Sequence, residues 1–154
     1  MERDRREVAD AVLMGEYMHT IDAKGRVILP ADFRSELGDA FVITKGLDSC
    51  LFIYGQAAWE TLSGKLRQLP LGKQQARDFT RFFFSSARTL DCDRQGRFLV
   101  PGTLRAYAGL QKEVVLIGVS DRVELWDRDA WTKYNDEINP SVTEIAAQLT
   151  DLGI

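Results

Sequence analysis

One ten-residue stretch occurs twice in this chain. The first copy is Ile21-Asp22-Ala23-Lys24-Gly25-Arg26-Val27-Ile28-Leu29-Pro30, and the second is Cys92-Asp93-Arg94-Gln95-Gly96-Arg97-Phe98-Leu99-Val100-Pro101. Both read Asp-x-x-Gly-Arg, three apolar residues, then Pro. The offset of 71 persists through Arg34/Arg105 to Gly38/Gly109. After one inserted residue it becomes 72, pairing Val42 with Val114, Gly46 with Gly118, Tyr54 with Trp126 and Ala58-Trp59 with Ala130-Trp131. A repeat that keeps its Gly, Pro, Arg and Trp in step over about forty residues marks two copies of one structural unit.

Each copy enters through a short apolar run, reaches Asp-x-x-Gly, and leaves through another apolar run, the pattern of strand, tight turn and strand. Asp22 and Asp93 suit the turn because a carboxylate accepts hydrogen bonds from backbone N–H groups ahead of it. Gly25 and Gly96 suit a position of positive φ. Arg26 and Arg97 leave the tip with their charge free to point outward, and Lys24 and Arg94 add a second cation to each tip. After each Pro the spacing predicts a short helix, over Ala31 to Leu37 and Gly102 to Ala108, with Arg34 and Arg105 at matching places and Gly38 and Gly109 as C-caps. Strands are expected over Phe41 to Thr44 and Cys50 to Tyr54, and again over Val114 to Ile117 and Val123 to Trp126. The unit is therefore β-turn-β-α-β-β. Units below roughly 60 residues are marginal alone, so the two copies are expected to pack about a pseudo-twofold axis into one closed core.

Between the copies, Leu62, Leu66 and Leu69 recur at helical spacing, Leu69-Pro70-Leu71-Gly72 breaks the helix, and Ala76, Phe79, Phe82 and Phe83 resume it. The run Phe82-Phe83-Phe84 is read either as core or as a subunit interface. The division is residues 1–13 as an N-terminal extension, 14–60 as the first unit, 61–86 as a helical connector, 87–135 as the second unit and 136–154 as a tail. Within the tail, Ser141 and Glu144 suggest a capped helix.

Composition narrows the function classes. The chain is 45% hydrophobic and 28% charged, ordinary for a globular protein. No apolar run approaches the roughly 20 residues of a membrane span, and no secretory segment opens the chain, so a cytoplasmic location is expected. Cys50 and Cys92 are expected to stay reduced. The sole histidine, His19, has no partner at a telling spacing. Asp91 and Asp93 share a face at the start of a turn, and no nucleophile–base set, metal-spaced cluster or phosphate-binding glycine loop accompanies them. No catalytic residue, metal or cofactor is expected. The net charge is −3, but it is −5 from Asp121 onward and therefore +2 over residues 1–120. A basic face can bind phosphate on an acidic chain, because exposed charges beyond about 8–10 Å are screened.

The chain resembles the MraZ family of bacterial regulators of the division and cell-wall gene cluster. The resemblance rests on Gly15-Glu16-Tyr17, the stretch Asp22 to Pro30, Gly46-Leu47-Asp48-Ser49-Cys50-Leu51, the connector Arg77-Asp78-Phe79-Thr80-Arg81-Phe82-Phe83-Phe84-Ser85, and the second Asp93-x-x-Gly96-Arg97. It covers residues 14 to about 135. It implies a mixed α+β, mainly β fold: two pseudo-twofold-related AbrB-like swapped-hairpin units forming one double-psi-like barrel core with a helical connector. It implies a nucleoid-associated repressor that binds short direct repeats in double-stranded DNA as a ring of subunits. DNA contact is expected from Lys24, Arg26, Arg34, Arg94, Arg97 and Arg105, with Asp22, Gly25, Asp93 and Gly96 shaping the turns and Phe82, Phe83 and Phe84 at the subunit interface. An AbrB-like protein-interaction module of the antitoxin type is the alternative.

Overall fold

The computed structural model describes residues 12–149. The first repeat supplies β1 (Leu13–Thr20), β2 (Arg26–Ile28), α1 (Ala31–Leu37), β3 (Ala40–Lys45), β4 (Leu51–Gly55) and α2 (Gln56–Leu66). Helix α3 (Gln74–Ser85) leads to the second: β5 (Arg88–Asp91), β6 (Arg97–Leu99), α4 (Gly102–Ala108), β7 (Glu113–Ser120), β8 (Val123–Asp127) and α5 (Arg128–Ile138). A 3-10 turn, Asn139–Ser141, precedes α6 (Val142–Gln148). The repeat offsets reproduce β2/β6, α1/α4, β4/β8 and α2/α5 residue for residue. Both short helices stop at their glycines, with φ of 85° at Gly38 and 61° at Gly109, where a side chain would be strained.

The repeats do not fold side by side. The six-stranded antiparallel sheet runs β1-β7-β8-β4-β3-β5. The first strand of each repeat thus pairs with the other repeat, β1 on β7 and β5 on β3. At the centre Phe52 faces Glu124, its own repeat equivalent, with Leu51 opposite Leu125 and Ile53 opposite Val123. In the separate ribbon β2–β6, Val27 faces its equivalent Phe98. These two self-equivalent pairs mark where a pseudo-twofold axis pierces sheet and ribbon.

Three layers result. On one face of the sheet, Phe41, Ile43, Leu51, Ile53, Val114, Leu116, Val123 and Leu125 pack against Val27, Leu29, Phe98 and Val100 of the ribbon and Phe33, Leu37 and Leu104 of α1 and α4. On the other face, Cys50, Phe52, Tyr54, Val115, Ile117 and Trp126 pack under Trp59, Phe79, Phe83, Trp131 and Tyr134 of α2, α3 and α5. The alternation of β-strand side chains sorts the two sets.

Several expectations change here. The strand pairing does not close into a barrel. β2 and β6 are three residues long, pair with each other across one face, and reach the main sheet through the isolated Ile21–Val27 bridge, leaving β1 and β5 as edges. Phe83 is 3% exposed and stacks on Trp59 and Phe79 at ring distances of 5.5 and 5.8 Å. It therefore belongs to the chain's own interior, whereas Phe82 and Phe84 are half-buried. Thr44 Oγ1 donates to the Phe83 carbonyl at 2.6 Å and fixes the end of α3 to the sheet. Ser141 makes no side-chain cap bond, because its backbone is already helical within the 3-10 turn. Residues 1–11 of the expected extension and 150–154 of the tail lie outside the described residues.

Candidate nucleic-acid interface

The two Asp-x-x-Gly turns share one set of bonds around their aspartates. Asp22 Oδ1 accepts from the backbone N–H of Lys24 (3.0 Å) and Arg26 (2.9 Å), and Oδ2 accepts from Arg26 Nε at 2.7 Å. Asp93 Oδ1 accepts from Gln95 N–H (2.9 Å) and Arg97 N–H (3.0 Å), and Oδ2 from Arg97 Nε at 2.9 Å. The Arg26 and Arg97 backbone N–H groups are the largest influence holding the Asp22 and Asp93 carboxyls below their ordinary range, with the arginine side chains adding to it. Each turn closes by a Gly N–H to Asp carbonyl bond, 2.9 Å in the first and 3.0 Å in the second.

The ribbon then presents these turns. Antiparallel pairing sets Arg26 opposite Leu99 and Ile28 opposite Arg97. Directly opposed residues share a face, so Val27 and Phe98 point into the core while Arg26, Ile28, Arg97 and Leu99 share the outer face. Ile28 is 46% and Leu99 53% exposed. The diagonal between the two arginines spans roughly 7–8 Å. Lys24 and Arg94 stand exposed at opposite ends. The outer surface is thus two arginines alternating with two bare aliphatic side chains, and beyond the β2–β6 ladder itself the ribbon is extended by backbone bonds from Leu29 N–H to Gly96 O (2.8 Å) and from Val100 N–H to Gly25 O (2.9 Å).

Arg34 and Arg105 do something the linear order hides. The Arg105 guanidinium lies across Gly25 of the other repeat's turn, and Arg34 lies across Gly96. Both glycines are buried as a result, though each sits in a turn. Arg105 Nε is buried without a hydrogen-bond partner. Of the expected set, then, Arg26 and Arg97 lie on the ribbon, Lys24 and Arg94 in the turns at its opposite ends, and Arg34 and Arg105 each reach across to the turn of the other repeat. Ile28 and Leu99 were missed by motif reasoning. The signal for them was strand alternation about Val27 and Phe98, legible once the ribbon was known to be covered on one side only. A cleft lies elsewhere, beside Leu37, Gly38, Ala57, Ser120 and Asp121.

A chain of two repeats that exchange their first strands and jointly build one arginine-bearing ribbon is a duplicated swapped-hairpin protein. The family model described as "MraZ protein, putative antitoxin-like" matches it twice, over residues 12–82 and 83–152. The chain belongs to the MraZ family. It is 53% identical over 143 residues to the transcriptional regulator MraZ of Thermoanaerobacter sp. (strain X514), covering 93% of this chain and all of that one. Identity is 54% over 143 residues, with the same coverage, to the proteins of that name from Halothermothrix orenii and Moorella thermoacetica. These relatives are named as transcriptional regulators. No helix among the described residues is long and apolar enough to cross a membrane.

Proposed function

We propose that this protein is a sequence-specific DNA-binding transcription regulator that reads the major groove with the outer face of the β2–β6 ribbon. That face, Arg26 and Arg97 alternating with exposed Ile28 and Leu99, is the observation that carries the reading. A major groove about 12 Å wide admits a two-stranded ribbon, arginine is the commonest partner of guanine, and apolar side chains meet thymine methyls. Lys24 and Arg94 flank the face within reach of phosphates. The names of the relatives support the regulatory role.

The finer reading is a nucleoid-associated repressor of the division and cell-wall gene cluster, including its own promoter, that binds short direct repeats as a multi-subunit ring. One ribbon offers few contacts, and several ribbons on repeated sites bind through avidity. Exposed apolar positions support self-association: Met14 (70%) and Met18 (51%) on edge strand β1, and Val142 (51%) and Leu149 (55%) on and just after α6. Phe82 and Phe84 contribute their half-exposed rings to the same role. A second reading, an antitoxin-type interaction module, draws on the family description and on the apolar stripe of α6.

The test is a salt series of binding to duplexes bearing one or several G-rich direct repeats, with wild type and Arg26→Ala. The regulator reading expects binding that needs several repeats, weakens steeply with salt and falls at least about tenfold in the variant. Wild type without preference over random duplex, together with co-purification of a small basic protein, overturns it in favour of the second reading.

A further inference from the structure

The two turns hold their arginines alike at Nε and differ at the far end of the guanidinium. In the second turn Arg97 Nη2 also donates to Gln95 Oε1. The guanidinium is therefore anchored twice within its own turn, to Asp93 and to Gln95. In the first turn the residue equivalent to Gln95 is Lys24. Lysine has donors and no acceptor, so it cannot bind the guanidinium, and its like charge favours a guanidinium turned away from it. Among the described residues, the terminal nitrogens of Arg26 meet no acceptor, and its only side-chain bond is Nε to Asp22 at 2.7 Å. The neighbouring position differs in the complementary sense. Ala23 in the first turn is Arg94 in the second, where its exposed cation is not tied to the turn.

We infer that the pseudo-symmetric turns divide the labour of DNA recognition, the first reading base edges through Arg26 and the second gripping phosphate through Arg94, and that the residue pair Lys24/Gln95 sets this division. The inference rests on the DNA-binding reading above and assigns it to one half of the ribbon. Bidentate recognition of guanine needs both ends of the guanidinium fork. Arg26 offers that fork already aimed by the Asp22–Nε bond, with nothing to break. Arg97 keeps the second N–H of Nη2 and both of Nη1, but its bond to Gln95 fixes the guanidinium in its own turn, and because that bond is charge-assisted, turning the fork toward a base edge costs Arg97 more than Arg26. Arg94 contributes a point of positive charge at the far end, which fixes register on the duplex and carries no sequence information. Gln95 is thus a positioning residue: it acts on DNA only through Arg97.

Exchanging the two residues tests this. Binding to a duplex with several G-rich direct repeats, and to a scrambled duplex of the same composition, is measured for wild type, Arg26→Ala, Arg97→Ala, Arg94→Ala and the double exchange Lys24→Gln/Gln95→Lys. The two arginine variants are then repeated in the exchanged background. In the wild-type background Arg26→Ala is expected to lose at least about tenfold on the repeat duplex, and Arg97→Ala less than about threefold. In the exchanged background the order inverts. Arg94→Ala weakens both duplexes alike and lowers the salt slope by about one.

A second readout needs no DNA. Side-chain 15N NMR of the arginines is expected to show restricted Nη exchange for Arg97, averaging for Arg26, and averaging for Arg97 in Gln95→Ala. Equal losses for Arg26→Ala and Arg97→Ala, with repeat binding intact, overturn the division while leaving the DNA reading standing. An averaged Arg97 Nη in wild type overturns the tether. Absence of any repeat preference in wild type overturns both this inference and the reading it rests on.

Discussion

Arg105 of the second repeat lies across Gly25 of the first, where an added Cβ would stand 2.8 Å from its Cζ. Gly25 also has φ of 89°, so a side chain there would be strained by the backbone and would have to push the Arg105 guanidinium aside. Gly25→Ala is expected to cost about 1–3 kcal/mol of folding stability, read by urea denaturation, and to weaken DNA binding by displacing the turn. Gly38→Ala shares the positive φ but has nothing within 4 Å of the added Cβ, so its loss should be smaller and leave DNA binding nearly unchanged. Equal effects at the two glycines would show that the arginine brace contributes nothing.

The turn carboxylates carry a pH dependence of definite sign. Asp22 and Asp93 have folded pKa values below their unfolded ones. Their stabilisation is complete above the unfolded carboxylate range near 4 and disappears as pH falls through the depressed folded value. Turn amide shifts of Lys24, Arg26, Gln95 and Arg97 should be constant from about pH 5 to 8 and move only below about pH 4. Asp22→Ala should produce at pH 7 the same displaced shifts in the first turn.

Phe83 and Phe82 are adjacent in sequence and opposite in environment. Phe83→Ala removes a buried ring from a stack and should cost about 3–5 kcal/mol. Phe82 is half-buried, 5.9 Å from the Tyr107 ring and beneath the Lys45 ammonium, so Phe82→Ala should cost less. If Phe82 lies at a subunit contact, its variant should also dissociate to smaller species in native mass spectrometry, and Phe83→Ala should show its main effect in the melting curve.

Ile28→Ala and Leu99→Ala test the apolar part of the ribbon. Exposed positions away from special contacts usually change stability by no more than about 0.5 kcal/mol. Denaturation midpoints should therefore hold. Affinity for the repeat duplex should fall, with no change in the salt slope, because no phosphate contact is removed.

Cys50 is 0% exposed, its thiol donates to the Leu47 carbonyl at 3.1 Å, and burial pushes its pKa up. Alkylation needs the thiolate. Labelling of Cys50 by iodoacetamide should follow global unfolding, while the half-buried Cys92 should react first. Rapid labelling of Cys50 under native conditions would mean that the α3 face opens locally.

Local pattern carried much of this structure. Gly, Pro and apolar spacing located β2, α1, β4 and their second copies, since those elements follow from turn chemistry and helix stops. Partner choice was not local. Nothing within Leu13–Thr20 says that it pairs with β7 rather than with its own repeat, and no short-range rule sets Arg105 over Gly25. The barrel expectation failed for a related reason: whether two three-residue strands join a sheet or cross it depends on packing of Val27 and Phe98 over the whole core. The arginine turns were legible because the motif is short and repeated; Ile28 and Leu99 were not, because exposure of one strand face is a property of the assembled layers.

The exchange of first strands has a consequence for how the chain is made. Leu13 pairs with Ser120, so β1 waits for a partner about a hundred residues further on. During synthesis the first repeat emerges with that strand unpaired, and its β3 edge stays open until β5 arrives. Long-range pairing of this kind slows folding, and open edges invite pairing with neighbouring chains. On one ribosome the waiting strand meets its own second repeat; where nascent chains crowd together, the same pairing fits a neighbour's second repeat equally well. Intertwined dimers are therefore the misassembly this architecture most readily allows, and duplication within a single chain keeps the correct partner at high local concentration.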